Sequence, residues 1–595
     1  MPHTLYEGRR QYHDDRQRKE DDRILAAVLI VLAVALGIYL LIARFHIRSE
    51  QIVEIGFYVI AFAAGIWGTF RHLRTVKARK QERWPAPYLH ISYCKDQAAV
   101  REAFAHSATV LAYNLSADKE GEPEFWSDDV RIRQGNLFGK SGAGKTTLLT
   151  NVEIQDVHRG VPMFILGGKG DAKDIDALLP EIEASGRMHQ FRLLDPSQPD
   201  ISVAWNPCYS PDGSYEKHAE FIYESFDVKK DFFYGHQATY LQHMSRILWY
   251  TGKTHNMHDL LVLARDEIVM CEQMQIAAQR IQGLSAVTSQ QRENFEVSAR
   301  SLRQSLEDRE RVSKIQGLLN ALETFVGDDI SQITNPYENL LTLDEVIDKN
   351  LVLFISLNTN LDTRPAKALG RMLLQNLQLV LGKRYADRAR SRENQKFVSV
   401  ILDELAPYAY SHFAYIVQTA RGTNTAFLFA MQARPQLLSV GTGFRDDLCS
   451  APGTNMVMQT TDEDTVKYFR NSSGKVAQIR RSSAKQRRGS SGDIYDDTGL
   501  VSDTEIQETR LLDKHITGLP IGQVQALVPG DRGVIEPRYL QVRVPPNLCI
   551  PGYLPAIYPR FRTPKARSNG ANLRFKKPEL QPLNGRFSRK KALPW

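Results

Sequence analysis

The chain has 595 residues, 42% of them apolar and 24% charged, with 76 Lys/Arg against 68 Asp/Glu and a formal net charge of +8. That apolar share is ample for buried cores and excludes a disordered chain, and the length suggests three or four structural units. The five cysteines (Cys94, Cys208, Cys271, Cys449 and Cys549) stand far apart with no C-x-x-C, which argues against a structural zinc site or a disulfide framework and suits a reducing, cytoplasmic body.

In chain order, residues 1–23 carry six Lys/Arg and read as a cytoplasmic N-terminus. A mean hydropathy of -0.35 hides two apolar runs near this end. Ile24 to Ala43 is uncharged and long enough to cross a bilayer as a helix, and Ile52 to Phe70, with Glu54 near its start, is a shorter second span. The segment Arg71 to Arg83 holds another six Lys/Arg, whereas only Arg44 and Arg48 lie between the spans. The positive-inside rule therefore predicts a two-helix transmembrane hairpin over 24–70 with both ends in the cytoplasm. The first span is too long, and too poor in small residues, for a cleaved signal peptide.

A basic connector and a short mixed region of a few expected strands leading into the core occupy 71–134. The first part of a nucleotide-binding domain, 135–213, opens on Gly139-Lys140-Ser141-Gly142-Ala143-Gly144-Lys145-Thr146, which matches G-x-x-x-x-G-K-[ST] at every fixed position, with Thr147 next. In such a loop the glycines let backbone N–H groups and a helix N-terminus face phosphate, Lys145 adds a point charge, and Thr146 offers a hydroxyl to Mg²⁺. Val161 to Leu166 reads as a buried parallel strand ending in Gly167-Gly168-Lys169-Gly170-Asp171. Strand, loop, helix and strand together predict an α/β nucleotide-binding domain.

From 214 to 335 the pattern changes. Leu241, Met244, Ile247 and Leu248, then Leu302, Leu306, Val312, Ile315, Leu318, Leu319 and Leu322, recur mostly at three and four, which predicts an inserted all-α subdomain. His255 and His258 lie within it without a third ligand nearby and read as ordinary surface or loop residues. The α/β pattern returns over 336–550, with strands expected at Asn350 to Leu357 and Lys396 to Leu402 and a helix between them over Ala366 to Leu381.

The second of these strands runs into Asp403-Glu404. After a phosphate loop, an apolar strand ending in two carboxylates is the other half of an ATPase site: Asp403 would hold Mg²⁺ and Glu404 would orient the attacking water. A further strand, Ala426 to Met431, ends in Gln432, whose amide can reach the γ-phosphate or its water. Arg421 can pair within its own chain or complete a neighbour's site as an arginine finger. Residues 471–500 are expected to form a flexible basic loop and 551–595 a basic disordered tail. Both are poor in core-forming residues and suited to DNA or anionic lipid.

GKSGAGKT, GGKGD, Trp205-Asn206-Pro207, ILDELAPY (Ile401 to Tyr408), Ala420 to Gly422, MQARPQL (Met431 to Leu437) and TTDEDTVKYF (Thr460 to Phe469) occur in the order seen in type IV coupling proteins. The chain resembles this family, the TraG/TraD-like ATPases of conjugation and type IV secretion, related to the FtsK and HerA pumps, over residues 20 to about 545. The resemblance implies a RecA-like P-loop motor bearing an all-α subdomain behind a membrane hairpin, assembled as a hexamer. It implies Lys145 and Thr146 as phosphate and Mg²⁺ groups, Asp403 and Glu404 as Mg²⁺ and water groups, Gln432 as sensor and Arg421 as finger. The loop after the second strand usually begins with an acidic residue in that family; here it begins with Gly167, so the role of that carboxylate has no counterpart at this position.

The expectation is an inner-membrane ATPase using ATP and Mg²⁺, with both termini and the motor in the cytoplasm, that recruits relaxase-bound single-stranded DNA and drives it into a type IV secretion channel. Its expected partners are that DNA and relaxase, the channel components, inner-membrane lipids and further copies of itself. The alternative is a receptor or scaffold for protein secretion that uses nucleotide as an assembly switch. An FtsK-type chromosome pump would want more spans and a C-terminal DNA-reading domain, and an ABC transporter would want an LSGGQ-like signature before Asp403.

Overall fold

The structure, a computed structural model, describes residues 84–544 apart from 117, 168–171, 227, 229–231, 359–362, 388–393, 488–494 and 530–534, together with 573 and 574. Two compact units divide the chain, Met1–Ala86 and Pro87–Trp595, and every described helix and strand belongs to the second. The expected membrane hairpin at 24–70, most of the tail, and Lys169 and Asp171 lie outside the described residues. Among the described residues no helix is long and apolar enough to cross a membrane.

The connector forms α1 (Tyr93–Ala105), β1 (Ala108–Asn114), β2 (Pro123–Ser127) and α2 (Asp128–Arg131). Next come β3 (Gly135–Phe138), α3 (Lys145–His158), β4 (Met163–Gly167), α4 (Ala172–Ala184) and β5 (Phe191–Leu194). Eight helices without a strand follow: α5 (Tyr215–Ser225), α6 (Tyr234–Thr251), α7 (Met257–Arg265), α8 (Glu267–Gly283), α9 (Ser289–Glu307), α10 (Arg311–Lys314), α11 (Gln316–Glu323) and α12 (Asp328–Thr334). The chain then runs through α13 (Leu343–Asp348), β6 (Val352–Ser356), α14 (Thr363–Ala386), β7 (Val398–Leu402), α15 (Phe413–Thr419), β8 (Thr425–Met431), α16 (Thr442–Ser450), β9 (Thr454–Val457) and α17 (Glu463–Ser472). It finishes with β10 (Lys475–Arg487), β11 (Tyr495–Thr509), α18 (Lys514–Thr517), β12 (Gln523–Pro529) and β13 (Ile535–Val542).

Eleven strands make one sheet in the order β2-β1-β13-β12-β9-β3-β8-β7-β4-β6-β5. From β9 to β5 every neighbouring pair is parallel, so all the loops that follow these strands emerge at one edge. The parallel strands are apolar on both faces because both are covered. Along β4, Phe164 and Leu166 enter one core while Met163 and Ile165 enter the other; along β8, Phe427 and Phe429 alternate in the same way with Leu428 and Ala430. The first of these cores continues without a break into the helical insert, where Leu241, Met244, Leu248 and Leu302 are fully buried. The remaining strands, β12, β13, β1 and β2, extend the sheet antiparallel, so the connector and the C-terminal segment pair with each other.

The insert is closed at its base. Trp205 donates its N–H to the Ile333 carbonyl (2.9 Å), Leu341 donates to the Ala204 carbonyl (2.9 Å), and the Asn206 amide spans the carbonyls of His255 (2.9 Å) and Pro336 (3.2 Å). The Trp-Asn-Pro run is thus the clamp that brings the entry and exit of the insert together. His255 lies inside this clamp, in the loop before α7, but it is buried rather than at the surface; the Asn206 bond and the α7 cap fold the chain over it.

A second correction concerns 471–500. Most of this segment pairs as an antiparallel ribbon, from Lys475 opposite Thr509 to Arg487 opposite Tyr495. In its register Arg481 stands opposite Asp503 and Lys485 opposite Asp497. Counting the basic residues of 471–492 alone hides the complementary strand that begins at Tyr495.

Candidate nucleotide site

The loop Gly139 to Gly144 turns sharply between β3 and α3. Gly142 and Gly144 have φ of +77° and +107°, a region that L side chains rarely adopt. The Gly139 N–H donates to the Met431 carbonyl (3.2 Å) and the Lys140 N–H to the Gln459 carbonyl (2.9 Å), so the loop is strung between the ends of β8 and β9. Lys145, buried at the start of α3, donates from Nζ to the carbonyls of Gly139 (2.7 Å) and Lys140 (3.2 Å).

The strand order explains how the distant carboxylates arrive. In the sheet β3 is followed by β8 and then β7, all parallel, so Lys145, Gln432 and Asp403-Glu404 emerge side by side at the same edge. Thr146 Oγ1 donates to the Asp403 carboxylate, 3.3 Å from Oδ1 and 3.4 Å from Oδ2, although the two residues are 257 positions apart. The Gln432 amide donates to Glu404 Oε1 (3.4 Å). Together Ser141, Gly142, Gly144, Lys145, Thr146, Thr147, Asp403, Glu404, Met431, Gln432 and Ile521 line a cleft of about 290 Å³.

Each carboxylate is held from behind. The Asp403 N–H donates to Leu166 (3.0 Å) and the Leu405 N–H to Ala430 (3.2 Å), which fixes the turn to β4 and β8. Tyr408 then folds its ring against Gly370 of α14 so closely that a Cβ there would lie 2.3 Å from the ring; only glycine leaves the space. Burial, with the Glu404 charge adding to it, pushes the Tyr408 phenol well above its ordinary value, so the ring packs as a neutral wedge.

Gln432 itself is placed by a second set of contacts. Gln436 Oε1 accepts the N–H groups of Gln432 (2.9 Å) and Ala433 (3.3 Å), while the buried Arg434 reaches Asp464 (3.1 Å) and Asp446 (3.1 Å) and lies over the Tyr468 ring at 4.5 Å. These contacts join the motifs MQARPQL and TTDEDTVKYF, and neither residue type alone announces the pairing.

Arg421 is apart from this cluster. It sits exposed in the 3₁₀ turn Ala420–Thr423 that precedes β8, at the opposite edge of the sheet from Gln432, which follows β8. A seven-residue strand separates the two, about 20 Å at the usual rise.

Hard cations such as Mg²⁺ take oxygen ligands and usually keep several waters, using only one or two protein oxygens beside substrate phosphate. The Thr146 hydroxyl and the Asp403 carboxylate fit that donor set. No group of three or more His, Cys, Asp or Glu that could form an all-protein cage occurs among the described residues. The site overlooked in the sequence is Ile521, which lines the cleft from far along the chain; no motif surrounds it, and only the fold brings it to the loop.

Residues 398–515, from β7 to α18, match the family model described as TraM recognition site of TraD and TraG. That segment contains Asp403, Glu404, Arg421 and Gln432. The chain resembles the type IV coupling proteins. Among solved structures it aligns with the bacterial conjugative coupling protein TrwBdeltaN70 at 16% identity and a TM-score of 0.49, covering 79% of this chain and 97% of that one. It aligns with TrwB in complex with ADP and Mg²⁺ at 16% identity and a TM-score of 0.48, covering 79% and 98%, and with VirB4 of Thermoanaerobacter pseudethanolicus at 11% and 0.43, covering 74% and 97%. No curated protein matches the chain.

Proposed function

We propose that the protein is a RecA-like, ATP-hydrolysing coupling protein, anchored by residues 24–70 in the bacterial inner membrane with its motor in the cytoplasm. Assembled as a hexameric ring, it moves relaxase-bound single-stranded DNA toward a type IV secretion channel. The observation that carries this reading is the Thr146 hydroxyl facing the Asp403 carboxylate at 3.3 Å, beside a phosphate-type loop and the Glu404–Gln432 pair. A carboxylate and a hydroxyl at that spacing suit Mg²⁺, which when bound neutralises phosphate charge.

The chain's own groups account for the rest. Backbone N–H groups of Gly142 to Thr146 would cradle the phosphates at the start of α3, and Lys145 would exchange its carbonyl partners for phosphate oxygen. Glu404 would orient water for in-line attack, with the Gln432 amide fixing the carboxylate and reporting the γ-phosphate. Arg421, on the far edge of its own sheet, would serve a neighbouring copy. The family description of 398–515 supports a TraM-like partner for this segment. DNA would be held through its phosphates and by stacking, without sequence reading.

ATP hydrolysis by the full-length protein, with and without single-stranded DNA, tests the reading. DNA should stimulate the wild type, while Lys145→Ala and Glu404→Gln should each lower turnover by about 100-fold or more. Undiminished turnover in both variants would sink the site assignment, and turnover indifferent to DNA would move the protein to the nucleotide-switched receptor reading.

A further inference from the structure

Ile521 is an apolar side chain left 69% exposed on the wall of a polar cleft. Exposed isoleucines are common singly, but this one is fastened to the phosphate loop. Its neighbour Gly522 donates its N–H to the Ala143 carbonyl inside the loop (3.0 Å), and its carbonyl accepts from the Val542 N–H (2.8 Å). The approach is close: a Cβ built on Gly144 would lie 3.4 Å from both the Gly522 Cα and its nitrogen. These contacts set the backbone of Ile521 and Gly522 directly beside Gly142 to Gly144.

We propose that Ile521 is the platform for the nucleotide's base. Phosphates taken by Gly142 to Thr146 leave the ribose and base to project out of the loop, and the Gly522 contact sets an aliphatic face beside it. Asp403, Glu404 and Gln432 line the part of the cleft at the ends of β7 and β8, engaged with Thr146 and with one another, and so belong to the phosphate end. The Ile521 side chain offers contact area, and itself carries no donor or acceptor for the edge of a base. Discrimination between adenine and guanine depends on such groups, so the platform accepts either purine.

The inference rests on the nucleotide reading of the loop, and binding measurements on the full-length protein with Mg²⁺ separate the two. Wild type, Ile521→Ala, Ile521→Val and Lys145→Ala are titrated with ATP, GTP and inorganic tripolyphosphate. Ile521→Ala should weaken ATP and GTP alike, about tenfold, and leave tripolyphosphate unchanged, with Ile521→Val in between. Lys145→Ala should weaken all three ligands. Unchanged ATP affinity in Ile521→Ala, or a loss that extends equally to tripolyphosphate, overturns the platform while leaving the phosphate loop intact. Strong preference of the wild type for one purine also overturns it. Failure of wild type to bind any of the three would instead remove the nucleotide reading itself.

Discussion

Two buried histidines show what single side chains contribute away from the cleft. His218 donates from Nδ1 to the Pro207 carbonyl (2.8 Å), and burial holds it at about 4; burial holds His255 at about 4 as well. A histidine depressed in the folded state binds its proton more readily when unfolded. Stability is therefore fully present above about 6.5 and is lost as pH falls from there to about 4, by up to about 3 kcal/mol per histidine. His218→Asn, which keeps a donor for Pro207, should reduce the drop in melting temperature between pH 7.5 and pH 5; an unaltered drop would show that His218 does not set it. Arg131 and Asp156 make the opposite kind of pair. Burial works against the Asp156 charge, but Arg131 at 2.7 Å, with Arg159 behind it, keeps the carboxylate below its ordinary value. Arg131→Met should cost about 3–5 kcal/mol because Asp156 is left buried, and adding Asp156→Leu should recover much of it. Denaturant unfolding of the single and double variants checks this.

At the scale of elements, what was legible in the sequence was whatever repeats locally. The apolar runs at Val161, Asn350, Lys396 and Ala426 became β4, β6, β7 and β8, and the three-and-four spacing became α6, α9 and α11, because both patterns report burial directly. The antiparallel strands β12 and β13 were not legible. Their neighbours are β9 and β1, one of them hundreds of residues away, and β13 carries Glu536, Pro537 and Arg538 in a register that no local alternation reveals. Arg434 was hidden for a related reason. Its motif position was visible, but its partners Asp446 and Asp464 come from two separate helices, α16 and α17. Because the same turn presents Gln432, Arg434 is a positioning residue: Arg434→Lys, which cannot make the forked contact, should lower kcat about tenfold and leave KM for ATP nearly unchanged. A rise in KM with kcat intact would assign the turn to binding instead.

For the whole molecule the decisive feature is the separation of Arg421 from its own cleft. Within one chain Lys145, Thr146, Asp403, Glu404 and Gln432 gather at the C-terminal edge of the parallel strands, while Arg421 is held at the N-terminal edge by the turn before β8. Arg421 and its own cleft lie at opposite ends of β8, so any part Arg421 plays in phosphoryl transfer would be played at the cleft of another copy. Head-to-tail contacts that close into a ring would bring one copy's N-terminal edge toward the next copy's cleft. Lys145→Ala and Arg421→Ala should then each be nearly inactive alone. Mixed before assembly in equal amounts, they should regain activity, since about a quarter of the random interfaces pair an intact Lys145 with an intact Arg421. Steady-state ATP hydrolysis across mixing ratios measures this, with a maximum near equal amounts and decline on either side. If the mixtures stay as inactive as the separate variants while rings still form, Arg421 has no role in a neighbour's site, and the ring would need another cation at its interfaces.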